Sequence, residues 1–544
     1  MIRKVSLALV ACLALVAFTP VADPYFEIGK NLDIFSTLFR EVNFYYVDEV
    51  EPQQLIETGL NGFIETLDPY TEYIPEEDME AFSIQTTGQY AGIGALISTI
   101  NNRNVITHPY ENFPAQRAGV KVGDEIVSVD GKNVRGKTTR DISALLKGNP
   151  QSDVSLVVDR QGKEFSFKLK REQIKINNVT YAGLVDSRIG YIKLEDFTPD
   201  AAREVESSMM SLRQQGAKAY ILDLRGNPGG LLYEAVNMVN LFVPKGKEVV
   251  STKGKVKEWT KSYQTLNQPI DLQTPLAILI DGGSASASEI VAGALQDYDR
   301  AVLVGQKTFG KGLVQTTRQL PYKAQVKVTT AKYYIPSGRC IQAVDFTHRG
   351  SDGSAKKIAD SLKSAFKTSN GRTVYDGGGL DPDFLVKREP YGSALIQLAQ
   401  SGLIFEYASR YCFNHPELTS FVNFSLSDAE YQEFEAWLKE RKFVYSTDLE
   451  TQAKQLMDEA RETKQFKDLQ PSLESIQGKI SSNHAGYLTR FRDEIQPLLE
   501  EEIGFHAALH RGRVEAYLDH DKELLEAKRL LSDRAAFDKL LQPR

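Results

Sequence analysis

Cysteine is scarce: the 544-residue chain has three, beside two tryptophans and six methionines. Cys12 falls in an N-terminal apolar run, so only Cys340 and Cys412 remain in the body, too few for a disulfide scaffold. Two thiols cannot complete a zinc site. The seven histidines show no ligand spacing such as His-Glu-x-x-His, so neither a metal nor another cofactor is expected. Positive charge is also short. Lys and Arg number 65 against 72 Asp and Glu, a formal net charge of −7, with no basic stripe, which argues against a nucleic-acid partner. There is no internal repeat and no low-complexity tract. With 42% hydrophobic and 25% charged residues, the composition is that of an ordinary globular protein, and the length calls for several domains.

The apolar run itself, Val5 to Phe18, is too short for an ordinary transmembrane helix. Arg3 and Lys4 precede it and the small residues around Thr19-Pro20-Val21-Ala22 follow, the pattern of a signal peptide over residues 1–22. Cys12 lies too near the N-terminus for a lipoprotein site. The chain is therefore expected to be exported, to a periplasm or to the outer face of a cytoplasmic membrane. An uncleaved segment would associate it with that membrane. Assembly into a homo-oligomer is compatible with the sequence but not fixed by it.

Residues 23–82 carry apolar positions at helical spacing (Leu32, Phe35, Leu38; Leu55, Leu60, Phe63, Ile64), which predicts an N-terminal helical segment. Residues 83–172 change texture. Short β-rich runs (Ala95 to Ile100, Glu125 to Val129, Val154 to Val158, Glu164 to Leu169) surround one helix with Thr138 or Thr139 as its cap and Gly148 as its stop. From 173 to 388 strands alternate with helices, predicting an α/β core whose sheet is covered by helices. Residues 389–544 are charged and helical. Ser427-x-x-Glu430 forms a capping box there, and Leu498, Leu499, Ile503 and Ala507 share a helical face.

Three segments of the α/β core depart from ordinary scaffold. Asp223-Leu-Arg-Gly-Asn-Pro-Gly-Gly230 joins a strand to a helix through a tight turn, and its backbone N–H groups can steady an anion. It lacks both Gly-Lys-Ser/Thr and Gly-x-Gly-x-x-Gly, so it is no phosphate loop. In Gly283-Ser-Ala-Ser-Ala-Ser-Glu-Ile290 a serine at a helix start sits in the positive end of the macrodipole. Ser286-x-x-Glu289 is equally a capping box, and Ser284 and Ser288 are rival nucleophiles. In Phe309-Gly-Lys-Gly-Leu-Val-Gln315 a glycine frame lets Lys311 enter a crowded pocket, although a lysine between glycines is commonly an exposed turn residue. A lysine base must lose its proton near neutrality, its pKa falling from ~10.4 to ~7–8 through burial. Lys311 is therefore expected to be buried.

Together the three segments resemble the carboxy-terminal processing peptidases (tail-specific proteases), serine endopeptidases with a Ser/Lys dyad and a PDZ domain. The resemblance implies Ser286 as nucleophile, Lys311 as base and Gln315 as its supporting residue. It also implies an oxyanion hole from the N–H of Ala287 and of Gly229 or Gly230. A regular strand from 311 to 315 would hold those two Cα atoms ~13 Å apart, so Gln315 needs a turn at Gly312 or a long reach. The resemblance extends to Leu67-Asp-Pro-Tyr-Thr71 and to Gly88-Gln-Tyr-Ala-Gly-Ile-Gly-Ala95, which is similar to a PDZ carboxylate-binding loop. Successive N–H groups across Gly92, Ile93, Gly94 and Ala95 can form a nest for a C-terminal carboxylate. The expected partners are thus proteins or peptides with accessible C-termini. A histidine-based hydrolase would favour a Gly-x-Ser-x-Gly elbow, and none is present. The rival from another class is a catalytically silent PDZ scaffold that binds C-termini.

Overall fold

The computed structural model describes residues 24–350, 353–388, 391–443, 445, 448–463, 465–482 and 486–543. The expected signal peptide, Cys12 included, lies outside them. Among the described residues no helix is long and apolar enough to cross a membrane.

The chain forms two compact units. One comprises the residues up to Pro75 with Thr317–Val328. Its helices are Pro24–Tyr45 and Pro52–Glu65, the second opened by a proline where a missing N–H costs nothing. Strand Glu72–Ile74 pairs antiparallel with residues 325–327, so the segment expected to be helical also contributes a β-ladder. Leu32, Phe35, Leu38, Leu55 and Phe63 of the expected apolar faces are exposed, whereas Ile64 is buried.

The second unit, Glu76–Thr316 with Thr329–Arg544, begins with helix Met79–Thr87. That helix runs across the expected junction at 82/83, because Gly88 in the left-handed conformation (φ 65) is what stops it. A small sheet follows in the order Ala95–Ile100, Arg103–Pro109, Glu125–Val129, Asp153–Arg160, Lys163–Lys170. Helix Thr139–Leu146 packs on it, N-capped by Thr138 in a box with Asp141, and Ile106, Ile126, Ile142 and Leu156 form its buried core. Ala95–Ile100 stands at the edge of this sheet.

The central sheet has six strands in sequential order: β1 (Val179–Asp186), β2 (Ile189–Leu194), β3 (Ala219–Asp223), β4 (Leu276–Ile280), β5 (Val302–Gly305) and β6 (Phe384–Leu385). β1 is antiparallel to β2, and the remaining neighbours are parallel. Helices α1 (Ala201–Gln214), α2 (Leu232–Asn240) and α3 (Ala287–Asp297) cover one face, packing on Ile192, Leu222, Ile278, Ile280 and Leu303. The alternate residues Tyr191, Ile221, Ala277, Leu279, Val302 and Val304 point to the other face. There they meet Leu524, Ala527 and Leu530 of α4 (Lys522–Ser532), followed by Phe537. A parallel sheet needs both faces covered, and the C-terminal helical region supplies the second cover.

The rest of that region has its own core around Leu398, Tyr431, Phe434, Ile495 and Ile503. Ser427 caps helix Asp428–Glu440 with Glu430 as expected. Leu499 and Ile503 are buried, with Leu498 and Ala507 packed beside them. The long helix then breaks at Ala508 and Leu509 (φ 51), and Gly504 and Gly512 meet backbone to backbone.

Candidate active site

Three loops follow the carboxyl ends of β3, β4 and β5, where an open parallel sheet gathers its functional residues. The hydroxyls of Ser284 and Ser288 bind the first loop to the second by donating to Leu224 O (2.8 Å) and Asn227 O (3.0 Å). Asp281 Oδ1 accepts the N–H groups of Gly226 and Gly283, both at 2.9 Å. The third loop joins through Phe309 N–H, which donates to Ser284 O at 3.1 Å.

Ser284 and Ser288 are therefore fully buried staples, while Ser286 between them is partly exposed. Ser286 has φ 55 and ψ −114, a sharp strand-to-helix turn that a non-glycine residue adopts only under constraint. Gly229 (φ 94) lies directly against it. A Cβ there would stand 2.6 Å from Ala285 O and Ala287 N and 2.8 Å from Ser286 Cβ. The Gly229 N–H donates to Asn227 Oδ1 at 2.8 Å. Gly230 bridges to Phe197, and Leu231 N–H donates to Phe197 O at 2.8 Å. Ala287, the first residue of α3, is buried beside them.

Sequence alone offers Glu289 as one half of a capping box. In the fold it is fully buried and gathers the site. Its Oε1 accepts Thr308 Oγ1 (2.5 Å) and Gly310 N–H (2.8 Å), and its Oε2 accepts the N–H groups of Ser286 (3.0 Å) and Lys311 (2.9 Å). Burial pushes its carboxyl up to about 7, against the pull of those four hydrogen bonds. The carbonyls of the same two residues meet at one hydroxyl: Tyr333 Oη lies 2.6 Å from Lys311 O and 3.2 Å from Ser286 O. A signal for Glu289 exists in the sequence. It is the one acid in the run Ala287 to Gln296, and an acid within a buried helix must have partners.

Lys311 is only partly buried, where full burial was expected. Its glycine frame encloses the backbone. A Cβ on Gly310 would stand 2.4 Å from Ala343 Cβ, and one on Gly312 2.7 Å from Gln342 N. Gln315 lies two residues into strand Leu313–Gln319, so the regular strand assumed from residue 311 does not exist. Its Nε2 donates to Thr329 Oγ1 at 3.1 Å. Gly92, Ile93, Gly94 and Ala95 sit apart from these loops: Gly92 ends strand Gln89–Gly92, paired with Glu172–Lys175, and Ala95 opens the edge strand of the small sheet. Ile93 O accepts from Ala115 N–H and Gly94 O from Tyr110 N–H, both at 2.9 Å. Gly94 (φ 74) has no room for a side chain, since a Cβ would stand 2.4 Å from Phe113 Cβ. Among the described residues no cluster of three His, Cys, Asp or Glu could hold a metal ion.

Residues 188–348 match peptidase family S41, residues 94–160 a PDZ domain, and residues 394–531 the C-terminal helical domain of a probable PDZ-protease. The chain is 36% identical over 324 residues to the carboxy-terminal-processing protease of Bartonella bacilliformis, covering 58% of this chain and 74% of that one. This chain belongs to the carboxy-terminal-processing proteases of family S41. It is thus a serine peptidase with a PDZ domain. A second relative, a probable CtpA-like serine protease of Staphylococcus aureus, is 36% identical over 316 residues, spanning 57% of this chain and 63% of that protein. The solved photosystem II D1 C-terminal processing protease is 27% identical and covers 65% of this chain and 92% of its own, with a TM-score of 0.34.

Proposed function

We propose that this S41 protease is an exported endopeptidase that cuts proteins after docking their C-terminal tails on its PDZ domain, with Ser286 as nucleophile and Lys311 as base. The observation that carries the reading is the pair of clamps, Glu289 and Tyr333, which fasten the backbones of Ser286 and Lys311 to each other. Neutral Lys311 Nζ takes the Ser286 Oγ proton as Oγ bonds to the peptide carbonyl carbon. The carbonyl oxygen takes up the negative charge, held by Ala287 N–H and by an N–H of the Gly229–Gly230 pair. Because Gly229 N–H already serves Asn227, Gly230 is the favoured donor. As the carbonyl returns, the C–N bond breaks and the lysine ammonium gives its proton to the leaving amine. Water then hydrolyses the acyl-enzyme, with Lys311 taking its proton. Gln315 supports the lysine from the neighbouring strand.

The edge strand Ala95–Ile100 and the loop Gly92 to Ala95 supply the tail site, strand to strand and carboxylate to N–H. Export places the enzyme in a periplasm or on the outer face of a cytoplasmic membrane. The wild-type protein should cleave an unfolded substrate with a free C-terminal carboxylate, and do so more slowly when that terminus is amidated. Ser286→Ala and Lys311→Ala should both abolish cleavage. Turnover in either variant would overturn the dyad. Tail binding without turnover in the wild type would favour the silent scaffold.

A further inference from the structure

The loop that carries Gly229 and Gly230 is anchored from outside the peptidase core. Arg225 Nη1 and Nη2 donate to Asp521 Oδ1 (2.8 Å) and Oδ2 (2.6 Å), a bidentate pair, and Nη1 reaches Glu523 Oε2 at 3.3 Å. On its other side Arg225 pairs with Asp223, through Nε at 3.0 Å and Nη2 at 2.6 Å. Lys193 Nζ donates to Arg225 O (2.5 Å), and Tyr191 Oη donates to Asp223 Oδ2 (2.6 Å). Asp521 also caps α4, accepting Leu524 N–H at 2.9 Å. The other oxygen of Glu523 accepts Gln306 Nε2 at 2.5 Å and faces Arg388 Nε at 3.1 Å. Gln306 follows β5 and opens the loop that leads to Lys311.

One helix start therefore holds both loops, the oxyanion loop through Arg225 and the lysine loop through Gln306. The side chains of Arg225, Asp223, Asp521 and Glu523 are 12%, 1%, 8% and 4% exposed. Buried charges keep their geometry tightly, because breaking one pair leaves another charge uncompensated. We infer that Asp521 and Glu523 are positioning residues: the C-terminal helical region, through the start of α4, sets the oxyanion loop and the lysine loop in register. The inference rests on the Ser286/Lys311 reading. Displacing a reacting group by about 1 Å can cost on the order of 10²-fold in rate, and α4 is placed to prevent such a displacement.

The test uses the full-length protein with Asp521→Asn and Glu523→Gln. Five quantities are followed: kcat and KM on a tailed protein, labelling of Ser286 by a peptidyl phosphonate, inhibition by a peptide aldehyde, peptide affinity at the PDZ domain, and melting temperature. The expected result is a fall in kcat on the order of 10²-fold with KM within about twofold. Aldehyde affinity and labelling rate should fall in parallel, because both need the oxyanion hole, while PDZ affinity stays constant. Should Asp521→Asn not fold, Glu523→Gln decides alone, since Glu523 is not the cap of α4. Variants that label and turn over like wild type overturn the inference. So does a loss that disappears when each variant is assayed at the same distance below its melting temperature. If wild-type Ser286 is not labelled at all, the dyad reading fails instead.

Discussion

The backbone N–H groups of Ser286 and Lys311 donate to one and the same oxygen, Glu289 Oε2, at 3.0 and 2.9 Å. A shared acceptor fixes two chain segments relative to each other without occupying either side chain. The four hydrogen bonds to this carboxylate come from Ser286 and from three residues of the lysine loop, so its loss would release both partners at once.

Glu289→Gln should therefore lower kcat by on the order of 10²-fold with little change in KM. The amide presents its NH₂ to N–H donors that now meet a carboxylate oxygen. Steady-state kinetics on a tailed substrate checks this, and a kcat within threefold of wild type would show that the clamp is dispensable.

The same carboxyl sets a pH dependence of stability. Its folded-state value of about 7 lies above the free value of 4.5, so the fold favours the protonated form. That contribution is full below pH 4.5 and is lost as pH rises through 7, about 3 kcal/mol in all. Denaturant titrations across that range should show this decline in wild type and its absence in Glu289→Gln.

Ser286 pays for its position in backbone strain, with φ 55 and ψ −114. Ser286→Gly should be more stable than Ser286→Ala by about 1 kcal/mol, because glycine occupies the left-handed region freely. Paired melting curves of these two variants isolate the backbone effect. Equal stability would mean that the turn is relaxed.

Gly229→Ala should abolish activity and destabilise the fold by about 1–3 kcal/mol. The added methyl would meet Ala285 O and Ala287 N at 2.6 Å, and backbone atoms cannot step aside as a flexible side chain can. Phosphonate labelling and calorimetry should report both losses.

His108 of the PDZ domain packs on His510 and Phe505 of the C-terminal region, with ring centroids 4.8 and 5.3 Å apart. Burial lowers the two imidazoles to about 3 and about 4, helped at His108 by the charges of His510 and Arg513 and at His510 by those of Arg513 and Lys193. Both are neutral in the fold. The stability they confer is present above pH 6.5 and is lost as pH falls toward 4, opposite in sign to Glu289. Protection factors against hydrogen exchange in strand Arg103–Pro109 should fall between pH 7 and 4.5, and less so in His108→Phe.

Much of this is legible in the sequence, for physical reasons. The core strands read as continuous apolar runs because both faces of a parallel sheet are buried, as in Leu276 to Ile280. Selecting Ser286 depends on reading three loops at once; the burial of Ser284 and Ser288 is not visible in the sequence. Strand Arg103–Pro109 escapes notice because Arg103, Asn104 and His108 break its apolar pattern. Glu289 hides behind the capping box, since a satisfied helix start and a brace between two loops share one spacing. The break at Ala508 and Leu509 also leaves no local mark. It depends on Gly504 and Gly512 crossing so closely that a Cβ on Gly512 would lie 2.0 Å from Gly504 O. Contacts between distant segments, α4 on the central sheet above all, cannot be read from local periodicity.

The second face of that sheet waits for residues that come last. During synthesis β2 to β5 emerge long before Leu524, Ala527, Leu530 and Phe537, and until then Ile221, Leu279 and Val304 have nothing to pack against. A partly made chain can form the serine turn but cannot seat it on a finished sheet. The seat of the serine turn is thereby tied to the arrival of α4 on the sheet.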